Sequence, residues 1–194
     1  MMRAACALCA ERGYEELCEA DIAKRADVAE GTFAQLFPGG KEECLAAAEN
    51  ANLAEVVAAV SRSYAADRSE WENVVYGVRE ILDLMAANPS LAYLGYICAR
   101  QMAPGKVREI YEAGHRILEA MLERGLEYSE DMGQPASAAL GILGGAQAII
   151  RREVANGHAS RLPLVLPDCV YIATVPFLGQ HEAMRLTRDA RRLI

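Results

Sequence analysis

Few side chains in this 194-residue chain stand at spacings that do chemistry. Cys6-Ala7-Leu8-Cys9 is a C-x-x-C, the spacing of a redox pair or of half a zinc site. No second cysteine pair and no histidine pair follows at ligand spacing, so the two thiols read as small buried hydrophobes. The three histidines, His115, His158 and His181, never pair at i, i+4, and the H-E-x-x-H zinc helix is absent. G-x-S-x-G, G-x-x-x-x-G-K-[ST] and a G-x-G-x-x-G after a strand are absent too. The expectation is a protein that is not an enzyme and needs no metal and no cofactor.

What remains is chemistry of binding. Trp71, Tyr76, Met85, Tyr93, Tyr96, Met102, Tyr111 and Met121 recur through the middle of the chain. They serve as ordinary core, or as the lining of a mostly apolar pocket in the stretch 69–130, with tyrosine hydroxyls fixing a small molecule; both can hold at once. Trp71, Met85, Tyr93, Tyr96, Tyr111 and His115 are the candidate ligand-binding residues. His115 is either a satisfied structural histidine or the polar anchor of that pocket. Gly141, Gly144 and Gly145 interrupt a good helical pattern, each at a cost of about 0.5–1 kcal/mol relative to Ala. With Ala138 and Ala148 they make a stripe over which another helix can come close. Together with the apolar segment 167–178 (Val170, Ala173, Thr174, Phe177) they predict a four-helix dimer interface, two helices from each chain. The alternative is close packing within one monomer. Gly141, Gly144, Ala148, Val170, Thr174 and Phe177 are the candidate interface residues.

The elements that must position these groups are helical almost throughout. Alanine abounds, threonine occurs only at 32, 174 and 187, and strand-forming residues seldom alternate with polar ones. Prolines at 38, 89, 104, 135, 163, 167 and 176 punctuate the periodic segments. Helices are predicted over 2–12, capped by Gly13, then 19–26, 30–37 and about 41–66. Ser69 and Glu72 form a capping box for the next helix, which ends near Asn88-Pro89. A shorter helix covers 90–101. Pro104 and Pro135 open two more, the latter running to about 156 and stopped by Asn156-Gly157. The segments 167–178 and 180–192 complete the chain. The last is basic (Arg185, Arg188, Arg191, Arg192) and reads as a solvated face.

Apolar residues make up 53% of the chain, enough for a core without disulfides or metal. The formal charge of −7 argues against wholesale electrostatic binding to nucleic acid or anionic lipid, so any DNA contact must come from a local patch. No apolar run approaches the roughly 18 residues that span a bilayer, and no cleavable leader follows Met1-Met2-Arg3. Six scattered cysteines read as reduced thiols, and the expected compartment is the cytoplasm, without a membrane partner.

The short helices 19–26 and 30–37 have helix-turn-helix dimensions, the second entering a major groove and the first bracing it. The letters are more specific. Ala10-Glu11-Arg12-Gly13-Tyr14, Asp21-Ile22-Ala23-Lys24-Arg25-Ala26-Asp27-Val28, Gly31-Thr32-Phe33-Ala34-Gln35-Leu36-Phe37 and Lys41-Glu42-Glu43-Cys44-Leu45 follow in order. Over residues 4–49 this series resembles the DNA-binding domain of TetR/AcrR-type transcriptional regulators. The segment Pro176-Phe177-Leu178-Gly179 with Glu182-Ala183 resembles the end of some members. The resemblance implies an all-α fold: a three-helix helix-turn-helix domain at 1–48 and a larger helical ligand-binding and dimerisation domain at 49–194. It further implies a homodimeric, ligand-responsive regulator, repressor-like, released from double-stranded operator DNA by a small, largely apolar effector.

Carried over by residue, Thr32 begins the recognition helix and touches a phosphate. Gln35 faces base edges, where its amide can read adenine. Lys41 neutralises a phosphate, Gly31 permits close backbone approach, and Lys24 adds a cation. Leu8, Ile22, Ala23, Val28, Leu36 and Phe37 form the small core, and Cys6 and Cys9 take positions the family fills with Leu and Phe. Four positions depart from the family pattern: Ala34 stands for a phosphate-holding Tyr, Cys18 for a Thr, Glu19 for an apolar residue and Asp27 for the glycine of the turn. An extra glycine precedes Lys41, and no basic arm stands ahead of Arg3. Residues 1–50 hold five basic and ten acidic side chains, a net of −5. Three outcomes follow: weak or selective DNA binding, a basic arm encoded upstream of this start, or a helical ligand sensor or interaction protein with weakened or lost DNA binding.

Overall fold

The structure, a computed structural model, describes residues 1–102, 105–127 and 138–194. Every regular element among them is a helix. In order these are α1 (Met2–Arg12), α2 (Glu19–Arg25), α3 (Glu30–Leu36), α4 (Gly40–Ser63), α5 (Glu70–Ala87), α6 (Pro89–Tyr93), a π-helical turn (Leu94–Cys98), α7 (Ala99–Gln101), α8 (Lys106–Glu127), α9 (Ala138–Ala155), a 3-10 helix (Ala159–Val165) and α10 (Leu166–Ala190). The expected roles of Pro104 and Pro135 fall outside the described residues.

Local signals set most boundaries. Gly13 ends α1 at φ +85°, its N–H donating to the Cys9 carbonyl at 2.8 Å. Gly157, at φ +75°, ends α9 in the same way. Ser69 and Glu72 close the capping box on α5: Ser69 N–H donates to Glu72 Oε2 at 2.9 Å, and Glu72 N–H donates to Ser69 Oγ at 3.2 Å. The Ser69 N–H bond, with a second from the Ser69 hydroxyl to the same Oε2 at 2.8 Å, holds the Glu72 carboxyl below its ordinary range. Pro89 sits in the first turn of α6, where its missing N–H costs nothing.

The chain divides into two compact units, Met1–Glu55 with Asn88–Gly114, and Val56–Ala87 with His115–Ile194. The first unit thus takes in 88–114, which the division at residue 48 placed in the rear domain. Its core gathers Leu8, Leu17, Ile22, Phe33, Leu45, Leu94 and Val107 with the thiols of Cys6, Cys9, Cys44 and Cys98. Helix α1 packs on α2, on α6 and on the π-helical turn. Glu42 on α4 accepts the N–H of Lys106 at 3.0 Å, placing a carboxylate at the positive end of α8.

In the second unit α5 packs on the 3-10 helix and on α10, and α9 packs on α10. Trp71 lies 4.9 Å from Phe177 between ring centroids, beside Val74, Ile142, Ile172 and Ala173. Asn73 is buried and ties down the chain before α5, accepting from Ala65 N–H and donating to its carbonyl, both at 3.0 Å. The sequence shows no unbroken apolar run of membrane length, yet helix over Ala159–Ala190 is long and apolar enough to cross one. Half of its most apolar stretch is buried inside the unit, and Gly179, at φ +72°, breaks α10 where the sequence predicts two segments. It serves as a core helix, with Leu162, Leu166 and Val170 fully enclosed.

Candidate nucleic-acid interface

The three front helices are held by charge on their outside and by one aromatic pair inside. Arg12 on α1 reaches Asp21 on α2 at 2.7 Å, and Arg25 on α2 grips Glu11 on α1 with two bonds of 3.0 and 2.8 Å. Phe33 is buried and stacks at 5.4 Å from Phe37, anchoring α3. Leu36, expected in this core, is 57% exposed. The correction is one of helical phase: Phe33 and Phe37 are four residues apart and share the inner face, which turns Leu36 outward. Leu8, Ile22 and Ala23 are buried as expected, and Val28 and Phe37 pack against them.

Between α2 and α3 the chain turns through Asp27, the sole non-glycine residue with positive φ among the described residues, at +54°. Asp27 therefore occupies the left-handed position that a glycine fills without strain. Val28 N–H returns to the Ala23 carbonyl at 3.0 Å and closes the turn.

With its inner face fixed, α3 presents Gly31, Thr32, Ala34, Gln35 and Leu36 to solvent. Thr32 and Gln35 are thus together on one exposed face of a short helix. At Gly31 a Cβ would meet nothing within 4 Å, so the glycine leaves that face low. Lys24 and Arg3 are exposed and form no salt bridge among the described residues. Lys41 is placed differently from the expectation of a free phosphate contact. Its Nζ donates to the carbonyls of Tyr14 and Leu17, each at 2.9 Å, and lies 4.4 Å over the Tyr14 ring. It clasps the loop between α1 and α2, and its donors are largely taken. Of the five cations in residues 1–50, Arg12, Arg25 and Lys41 are engaged inside the domain.

At the start of α2, exposed Cys18 occupies the N-cap without a side-chain bond to the helix backbone. Its thiol instead donates to Asp21, which together with Arg12 holds that carboxyl low. The sequence reading missed Glu49, buried in α4 with only 6% of its surface exposed. Burial pushes its carboxyl up to about 7 against one hydrogen bond from Asn52.

The candidate ligand-binding residues divide between the units. Trp71, on Phe177, and buried Met85 belong to the second, as does His115 on α8. Tyr93 and Tyr111 pack against the core of the first, and Tyr96 lies on its π-helical turn. Burial raises the Tyr93 hydroxyl above its ordinary range. The candidate interface residues also divide. Gly141, Gly144 and Ala148 are exposed on α9 beside Leu140, which is 58% exposed, and a Cβ at either glycine would meet nothing within 4 Å. Gly145 turns the other way, 3.3 Å from Ile172 Cγ2 on α10. Val170 and Thr174 are wholly enclosed within the chain, and Phe177 nearly so, leaving Tyr171, Ile172, Val175, Pro176 and Leu178 as the partly exposed apolar residues of that stretch. Among the described residues no three His, Cys, Asp or Glu side chains gather as metal ligands.

Comparison with known proteins bears on both parts of the chain. Residues 1–48 match the family model described as bacterial regulatory proteins, tetR family. None of the curated proteins matches. Among solved structures, the fatty acid degradation regulator FadR from Bacillus halodurans aligns with TM-score 0.76 at 21% identity, over 93% of this chain and 97% of its own. FadR from Bacillus subtilis, solved in complex with stearoyl-CoA, aligns with TM-score 0.73 at 21% identity over the same shares. The TetR family regulator PfmR from Thermus thermophilus aligns with TM-score 0.67 at 18% identity, over 93% and 95%. At these identities the likeness is one of fold. Residues 1–48 are thus similar to the N-terminal domain of the tetR family of bacterial regulatory proteins, and the chain as a whole shares the all-helical fold of these solved regulators.

Proposed function

We propose that this protein is a ligand-responsive, homodimeric repressor that binds operator DNA through α3 and is released by a small, largely apolar effector. The observation that carries the reading is the outward face of α3: Thr32 and Gln35 exposed together, with Phe33 and Phe37 locked behind them. Thr32 meets a phosphate, Gln35 a base edge, and Gly31 lets the backbone approach; exposed Lys24 adds a cation. Lys41 contributes from behind, by fixing the loop that carries Tyr14 and Leu17. The dimer is built on the exposed α9 stripe of Leu140, Gly141, Gly144 and Ala148, so that two heads meet successive major grooves. The effector favours a dimer state whose heads are wrongly spaced. The apolar residues Trp71 and Met85, and the tyrosines 93, 96 and 111, support an apolar effector, and the stearoyl-CoA bound by the Bacillus subtilis FadR makes a long-chain acyl-CoA the first compound to test.

The experiment is selection of duplexes from a random pool at low salt, followed by titration of the bound complex with acyl-CoA. Recovery of a two-fold symmetric site, lost on Gln35→Ala and released by the titrant, supports the reading. Comparing Trp71→Ala with Tyr93→Phe then assigns the effector to one unit. A second reading is favoured by the internal pairing of Arg12, Arg25 and Lys41: a TetR-like ligand sensor with weakened or lost DNA binding. Failure to enrich any duplex, with and without an added basic arm, while acyl-CoA still binds, selects it.

A further inference from the structure

Cys9 and Cys98 are 89 positions apart in the chain, yet their sulfurs lie 3.1 Å from one another in the core of the first unit. Cys9 is on α1, and Cys98 ends the π-helical turn on which α1 packs. A π-helical turn inserts a residue into the helical ladder and re-aims the side chains after it, and such turns recur at functional positions. Here it points the Cys98 thiol at Cys9. The other buried thiols of this unit, Cys6 and Cys44, are pushed up by burial to about 12 and about 11 and behave as inert hydrophobes.

We propose that Cys9 and Cys98 are a peroxide-sensitive thiol–disulfide site that staples α1 to the π-helical turn. A disulfide needs an S–S separation of about 2.05 Å, so closure is roughly 1 Å of sulfur movement, within reach of small rotations about the two Cα–Cβ bonds. The two thiols are unequal. Cys9 is drawn toward the thiolate by the S–H bond that Cys98 donates and by the charge of Lys41, which is held nearby on the Tyr14 and Leu17 carbonyls. The same bond pushes the Cys98 thiol up. Cys9 is the attacking sulfur and Cys98 the resolving one.

In the first step Cys9 Sγ attacks one peroxide oxygen, the O–O bond breaks, and Cys9 becomes a sulfenic acid. The departing hydroxide or alkoxide takes up the Cys9 proton and leaves as water or alcohol. In the second step Cys98 Sγ attacks the Cys9 sulfur, the S–O bond breaks and the S–S bond forms. The leaving hydroxide takes the Cys98 proton and departs as water. The thiols lose two electrons and two protons, and the peroxide gains both. Cys9 and Cys98 are closed off from solvent, so the oxidant is a small hydroperoxide admitted by local opening rather than a bulky disulfide. The linkage would fix α1, whose Glu11 and Arg12 hold α2 in place.

The test treats the full reduced chain with hydrogen peroxide under native conditions and maps its peptides without reduction. The expected result is a Cys9 peptide joined to a Cys98 peptide, loss of two of the six free thiols, and a rise in Tm that dithiothreitol reverses. Cys98→Ala is expected to stop at a sulfenic acid on Cys9 that dimedone traps, and Cys6→Ser to keep the linkage. A bulky aromatic disulfide is expected to modify exposed Cys18 and to leave Cys9 free. A map in which Cys9 and Cys98 stay reduced while Cys18 is oxidised, or in which other cysteines are joined, overturns the proposal. The map of the unmutated chain decides the matter even where a variant fails to fold.

Discussion

The Glu49 carboxyl is pressed against Gly95: a Cβ on that residue would stand 3.2 Å from Glu49 Oε1. Gly95 is the residue of the π-helical turn that leaves room for the carboxyl, and Asn52 supplies one hydrogen bond to it. Glu49 Oε2 is left without a hydrogen-bond partner among the described residues. An acid in such a place is held in its neutral form by desolvation.

Stability is therefore expected to fall as pH rises through the window set by Glu49. Its carboxyl titrates near 4.5 when unfolded and near 7 when folded. The folded state thus binds the extra proton between those values. The stabilisation is complete below about pH 4.5 and is lost by about pH 7, a change on the order of 3 kcal/mol. Glu49→Gln keeps the shape and removes the titration. Urea unfolding at pH 4.5 and pH 8 should show the variant gaining on the parent chain at the higher pH, and parallel stabilities at the two values would refute the assignment.

At the helix-helix turn of the head, Asp27 holds φ at +54°. Left-handed backbone costs most L-residues roughly 1–2 kcal/mol, and Asp is among those that tolerate it best. Glycine removes the strain but adds freedom to the unfolded chain. Asp27→Gly is expected to stabilise the protein by about 0.5–1 kcal/mol and to raise Tm by a few degrees. Asp27→Val should lower it. Calorimetry of the two variants distinguishes strain at this turn from a neutral surface position.

What the sequence disclosed, and what it hid, follows from how local each signal is. The Ser69–Glu72 box, the Gly13 and Gly157 stops and the break at Gly179 are decided by neighbours a few residues away, and all were readable. On the inner face of α3 the pattern gives Leu36 beside Phe37 where the structure has Phe33: seven residues are two turns, too few to choose between Leu36 and Phe33 by periodicity. Glu49 was overlooked although it lies in a stripe with Leu45, Ala48 and Asn52, because a carboxyl among alanines looks like solvent-facing charge. The Cys9–Cys98 contact joins residues 89 apart, and no local pattern announces it. Nor could spacing show that Lys41 would be spent on two carbonyls, since that depends on where the loop before α2 comes to rest.

Under the proposed function, the internal pairing of the head limits how steeply DNA binding depends on salt. Arg3 and Lys24 are the exposed cations outside salt bridges among residues 1–50, so a dimer offers about four. The slope of log K against log salt should then be no steeper than about −4. Glu11→Gln unties Arg25 and deletes a negative charge from each head. It is expected to tighten operator binding several-fold at low salt and to steepen the slope by up to about 2. Fluorescence anisotropy across a salt series measures both. An unchanged slope would mean that Arg25 does not reach the backbone of the duplex.

The exposed glycine stripe of α9 distinguishes a dimer from a lone chain through a substitution that is harmless in one and not in the other. At Gly141 and Gly144 a side chain enters open space within the chain, and helix propensity improves by about 0.8–1 kcal/mol on leaving glycine. Gly144→Leu is therefore expected to leave the monomer fold intact or slightly more stable. Across a close helix-helix contact the same side chain overpacks, at about 1–3 kcal/mol for each copy. The dimer dissociation constant should rise by roughly tenfold or more, because both copies of the substitution meet at a two-fold interface. Gly145→Leu is the control: its Cβ would lie 3.3 Å from Ile172, so it strains the contact between α9 and α10 inside the chain and lowers Tm directly. Sedimentation equilibrium on the pair separates the two effects. A Gly144→Leu chain that dimerises as tightly as its parent would place the interface on another face, whereas loss of dimer with Tm kept would fix it on Leu140, Gly141, Gly144 and Ala148.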